Sequence, residues 1–177
     1  MIKQKINKKI KRGISIVEVM IAIYIISMAF IGILSLVVQN IRMQNINKNA
    51  IMASQLAQEG LELVRNQRDT NWITDSNWKL GTGNATDIVQ DGTYVVDYNN
   101  GISNSASNIS DPGTRLYIDG QGFYTHTVSA NFSGFSRLIT IINETNYSVN
   151  IECRVRWQVA GGQPRDYIAQ TELYDWK

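Results

Sequence analysis

The chain of 177 residues has one cysteine, Cys153, one histidine, His126, and two prolines, Pro112 and Pro164. A single cysteine excludes an intramolecular disulfide framework and a CxxC metal or redox site. A single histidine has no second ligand or nucleophile placed beside it by sequence, so a surface or hairpin position is expected. No P-loop, HExxH or GxSxG motif is present. Neither an enzyme nor a bound cofactor or metal is expected from these absences. Proline is missing from Met1 to Asp111, so nothing there breaks a helix by ring geometry. Acid is missing before Glu18, and no Lys or Arg lies between Ile14 and Ile41.

What is present at the start complements those gaps. Lys3, Lys5, Lys8, Lys9, Lys11 and Arg12 make residues 1–13 a basic leader. From Ile14 to Val38 the chain is apolar for 25 residues, with Glu18 its only charge. At ~1.5 Å per residue such a helix spans roughly 37 Å, enough for a ~30 Å hydrocarbon core. A carboxylate in that setting costs roughly 2.5–3.5 kcal/mol at mid-span and less near an end, and it calls for a partner. A cut after Gly13 would place a new ammonium on Ile14, one helical turn from Glu18.

The run Gly13-Ile14-Ser15-Ile16-Val17-Glu18-Val19-Met20-Ile21 resembles the N-terminal signature of type IV pilins and type II secretion pseudopilins. That resemblance implies cleavage after Gly13 by a prepilin peptidase on the cytoplasmic side, then methylation of Ile14. The family most often has Phe where this chain has Ile14. It implies that Glu18 engages the terminal amine of an adjacent subunit during assembly. Implied partners are the peptidase, other pilin or pseudopilin subunits, the cytoplasmic membrane and the filament assembly platform. The missing disulfide pair and the long polar head favour a minor pilin or pseudopilin over a major one.

Charge divides at the leader. The formal net charge is +2, yet residues 14–177 hold 11 basic and 15 acidic side chains. From Asp69 onward the count is 7 basic against 12 acidic. A basic flank beside an apolar span reads as cytoplasmic, which puts the C-terminal part outside. An acidic head argues against strong, sequence-independent nucleic-acid binding. Two other readings of the N-terminus stand beside the pilin-type one. A secretory signal peptide would be cut after Ala29 in Ser27-Met28-Ala29, but apolarity runs on to Val38, past an ordinary h-region. A plain signal anchor would stay uncut and hold a ligand- or sugar-binding head outside the cell.

Beyond Val38 a helical period continues. Ile46, Ala50, Ala53, Ala57, Leu61 and Val64 form one stripe, with Lys48, Gln55, Gln58, Glu59, Glu62 and Arg65 on the other faces. One helix is predicted from about Ile14 to Arg68, with 39–68 as its amphipathic continuation. Residues 69–177 are predicted to form a β-rich head. Asn71 to Asn108 reads as a connection holding one strand at Thr93–Tyr98, with Trp72 and Trp78 covering the helix–sheet join. Arg115–Ile118 and Gly122–Thr127 flank an Asp119-Gly120 turn. Strands are predicted at Ser136–Asn143, Ser148–Val159 and Asp166–Asp175, the middle one alternating strictly. The fold class is therefore α+β, a long helix packed on an antiparallel sheet.

Remaining candidate sites read as structural. Cys153 falls on the apolar face of its strand, so a buried, inert thiol is expected. Asp87, Asp111 and Asp119 match no calcium-loop spacing. Arg154 and Arg156 make a small basic spot of solvated charge on the outer sheet face.

Overall fold

The computed structural model describes residues 13–74, 77–79, 90–99, 101–103, 106–159 and 161–175. It divides into two compact units, Met1–Asn45 and Ile46–Lys177. One helix, α1 (Ile16–Ile73), contributes to each.

In the first unit, α1 is wholly exposed along its apolar run, which is long and apolar enough to cross a membrane. The helix continues unbroken through Gly32, where an added Cβ would meet nothing within 4 Å among the described residues. Ser27 satisfies its hydroxyl by donating to the Ile23 carbonyl at 2.8 Å, so a polar residue is accommodated without a break.

The second unit packs the later turns of α1 against a sheet. Its strands are β1 (Gly92–Asp97), β2 (Gly101–Ser103), β3 (Arg115–Ile118), β4 (Tyr124–Thr125), β5 (Phe132–Asn143), β6 (Ser148–Trp157) and β7 (Arg165–Tyr174). Every pairing is antiparallel. β5 is the centre. β6 lies along one edge, from Phe135↔Trp157 to Asn143↔Val149. The opposite edge is shared end to end by β3, at Arg115↔Ser136, and β1, at Thr93↔Thr140. Among the described residues, β7 pairs only with β6. This is the α+β arrangement of a helix on an antiparallel sheet.

Period-two alternation decides which side chains meet the helix. Phe135, Ile139 and Ile141 of β5 join Val149, Ile151, Cys153, Val155 and Trp157 of β6 in one buried core. From the helix, Ala53, Leu56, Ala57, Leu61 and Val64 enter it. Each buried Leu or Val there contributes about 1.5–3 kcal/mol relative to exposure. Leu138, one position out of phase, faces the other way and packs with Val95, Ala106 and Ile109 in a smaller second cluster.

The elements differ from expectation at specific points. The helix runs to Ile73 rather than Arg68. Asn71, a loop-type residue by composition, is buried and donates its amide to the Trp78 carbonyl at 3.1 Å. That tertiary bond overrides local preference. The buried stripe begins at Ala53, since Ile46 and Ala50 are only partly covered, and it includes Leu56 and Gly60. β5 starts four residues earlier than predicted because a bulge at Gly134, with φ +87°, disrupts the alternation there. β2 lay inside the predicted connection; it is three residues long and buries only Ile102. β4 is shorter than the predicted Gly122–Thr127, because the turn extends from Asp119 to Phe123 and takes its positive φ at Gly122.

Candidate functional site

The N-terminal candidates lie together at the helix start. Gly13, Ile14 and Ser15 are exposed and precede the first helical residue, Ile16. The Val19 amide donates to the Ser15 carbonyl at 3.2 Å, opening the helical ladder. Ser15 therefore occupies the N-cap position and Glu18 the third helical position, the spacing of a capping box. The acid also lies in the first turn, where the helix dipole favours negative charge. Glu18 has no ion-pair partner among the described residues; the leader cations fall outside them. Among the described residues, an added Cβ at Gly13 would meet nothing within 4 Å. From Ile14 to Val38 the exposed side chains are apolar apart from Glu18 and three serines, with Ile14 and Ile16 each 77% exposed. A helix that is apolar all round requires lipid or protein cover.

In the head, the other sequence candidates have structural partners. Cys153 is fully buried, and that burial pushes its thiol up to about 12, which excludes a reactive thiolate. Trp72 and Trp78 face each other at 6.5 Å beside the helix end, and both belong to the core seam as predicted. Arg68 lies 4.6 Å over Trp72, and Lys79 lies 5.0 Å over Trp78. Lys79 also donates to Asn143 Oδ1 at 2.9 Å and to the Thr145 carbonyl at 3.0 Å.

The carboxylates considered for calcium are engaged by the protein's own donors. Asp111 accepts from both the amide and the hydroxyl of Ser107, and from the amide and side chain of Asn108. Those bonds lower its pKa below the ordinary carboxylate value. Asp119 accepts from the Tyr98 hydroxyl and the amides of Gln121 and Phe123, closing the hairpin turn. Asp87 lies outside the described residues. Among the described residues, no cluster of three His, Cys, Asp or Glu side chains is placed to hold a metal ion. The basic spot is neutralised in place: Arg154 pairs with Glu152 at 3.0 Å, and Arg156 makes a two-pronged pair with Asp166 at 2.6 and 2.8 Å.

His126 follows β4 in the hairpin and is largely enclosed. Its amide donates to Asp97 at 2.8 Å, and its Nδ1 is 3.2 Å from the Arg115 carbonyl. Burial, reinforced by the Arg137 charge, pushes its pKa down to about 4 despite the nearby Asp97.

The group that sequence reasoning missed is Arg137. Its side chain is fully buried under α1. It donates to the Leu56 carbonyl at 3.2 Å, to Glu59 Oε1 at 3.1 Å and to the Val96 carbonyl at 2.9 Å. One residue thus ties the helix to β5 and β1. The signal was its phase: Arg137 shares the core-facing parity of Phe135, Ile139 and Ile141.

Comparison of the chain with protein-family models, curated proteins and solved structures finds no match.

Proposed function

We propose that the chain is a prepilin-like subunit, a minor pilin or pseudopilin, of a pilus-like or secretion-like filament. Prepilin peptidase cuts it after Gly13, Ile14 becomes the methylated N-terminus, and the apolar helix draws the subunit from the membrane into the filament. The observation that carries this reading is the junction itself. A basic leader, a glycine and a first-turn acid stand at the head of an apolar helix with no internal cover among the described residues. Lipid before assembly and neighbouring helices after it would cover that surface. In the filament Glu18 meets the ammonium of Ile14, in its own chain or in a neighbour. Removing that pair from water strengthens its attraction while both charges lose solvation, so its contribution is register more than stability.

The direct experiment is mass spectrometry of the membrane-extracted protein. A mature N-terminus at Ile14 is the expected result. An intact Met1 start, or a start after Ala29, would replace this reading with a signal-anchored or secreted head.

A further inference from the structure

A groove of about 450 Å³ opens on the outer face of the head, where β3, β5 and β6 meet. Its origin is the β5 irregularity. Between Arg115↔Ser136 and Tyr117↔Phe132 the register shifts, and Gly134 takes φ +87° on the groove wall. Ser133 bridges the gap by donating to the Leu116 carbonyl at 2.6 Å, so the distortion is held rather than frayed. Such bulges re-aim side chains at the rims of sheets.

The side chains brought there are of three kinds. Arg115 lies 5.8 Å over the ring of Phe132 and has no ion pair among the described residues. Arg156 also lines the groove, but Asp166 already neutralises it, and it is steadied by the Ser110 hydroxyl at 3.1 Å. Among the described residues, no acid lines the groove. The uncompensated charge among the described residues is therefore one positive unit. Ser110, Ser136 and Gln158 supply hydroxyl and amide groups that both donate and accept. Phe132, 53% exposed, and Pro164 supply flat apolar surface.

We infer that this groove binds the ring of an acidic sugar, a hexuronate, with its carboxylate on Arg115, its hydroxyls on Ser110, Ser136 and Gln158, and its apolar face on Phe132. The single free charge matches one carboxylate per ring, and a planar guanidinium recognises a carboxylate through paired N–H donors. The volume is in the range of small-ligand clefts and accommodates one or two sugar rings. A simple carboxylate such as acetate would satisfy Arg115 but leave the hydroxyl and amide set without matching groups. The inference stands on the head alone and does not depend on filament assembly.

The test is calorimetric titration of the full chain in detergent with sodium glucuronate, methyl glucoside, sodium acetate and a glutamate-rich peptide. Glucuronate is expected to bind with a Kd of about 1 mM or tighter, and each of the others at least ~10-fold more weakly. Arg115→Gln, at an exposed position, is expected to keep the wild-type melting temperature and lose at least ~10-fold in glucuronate affinity. Phe132→Ala is expected to weaken glucuronate but not acetate. Absent glucuronate binding, acetate or peptide binding as tight as glucuronate, or full affinity in Arg115→Gln would each overturn the inference.

Discussion

Gly60 of α1 lies against Cys153 of β6 so closely that a Cβ on the glycine would stand 2.9 Å from the cysteine Sγ. The same Cβ would approach Arg137 Cδ at 3.1 Å and Ile139 Cδ1 at 3.3 Å. A helix-interior glycine costs about 1 kcal/mol relative to alanine, and here the close helix–sheet approach is what requires it. Gly60→Ala is expected to be net destabilising by about 1–2 kcal/mol, because overpacking outweighs the propensity gain. Cys153→Ala removes the atom in the way. The double variant is therefore expected to be more stable than the sum of the two changes allows, by at least ~0.5 kcal/mol in denaturant titrations. Simple additivity would show that the two residues do not constrain each other.

Glu59 and Arg137 form an unequal pair, with side-chain exposures of 40% and 0%. Removing the exposed acid strands a buried cation; removing the cation leaves an acid that water can reach. Glu59→Ala is expected to cost about 2–3 kcal/mol, toward the low end for a broken buried pair because solvent already screens one side. Arg137→Met is expected to cost less than Glu59→Ala, since the replacement fills apolar space without a charge. Equilibrium unfolding of both variants checks the order, and a reversed order would show that the Leu56 and Val96 carbonyls dominate.

His126 makes stability depend on mild acid. Its folded pKa is depressed to about 4 from 6.5, so the unfolded chain binds the proton first as pH falls. The stabilisation is complete above about pH 6.5 and is lost progressively down to about pH 4. Over that window the loss is on the order of 3 kcal/mol. His126→Gln is expected to flatten the stability profile between those limits. Asp91, Asp111, Asp119 and Asp166 have lowered pKa values and lose their contribution only at lower pH, below 3.8, so the variant should still unfold in strong acid. A variant whose profile still slopes between pH 6.5 and 4 would assign the effect elsewhere.

Gly13→Val adds a Cβ that would meet nothing within 4 Å among the described residues. Its expected effect is therefore confined to processing: a full-length, membrane-held precursor on a gel. Equal conversion of variant and wild type would exclude cleavage at this glycine.

Two proposed roles of Glu18, helix capping and charge pairing, can be separated by substitution. Glu18→Ala loses both, Glu18→Gln retains capping and hydrogen bonding, and Glu18→Lys opposes the new ammonium. All three are expected to insert and be cut. Entry into sheared filaments should fall in the order Gln, Ala, Lys. If Glu18→Ala is cut normally and assembles as well as wild type, the carboxylate has no part in assembly.

Long, uniform patterns were legible in the sequence, and interrupted ones were not. The helix showed because no proline and only one charge, Glu18, interrupts its apolar run, and β6 showed because its alternation is perfect from Val149 to Trp157. The start of β5 was hidden by Gly134, and Arg137 was passed over because a cation on a core face contradicts the binary pattern. Gly60 gave no sign, since a glycine's value depends on what approaches it from another element. The groove at Arg115 was equally hidden, because its residues come from separate strands and loops and meet only through a register shift.

The core joins Ala53, near the start of the head, to Leu173 on β7. A chain that emerges N-terminus first delivers the stripe of α1 long before its last partner strand. Until β7 pairs with β6, the helix can bury that stripe only in part. The head closes late, on contacts distant in sequence, which is the slow regime of folding. During that interval the unfinished sheet ends at β6, whose free edge offers backbone donors and acceptors to any other extended chain. Quality control would therefore act on an intermediate that already has its helix and lacks its final strand.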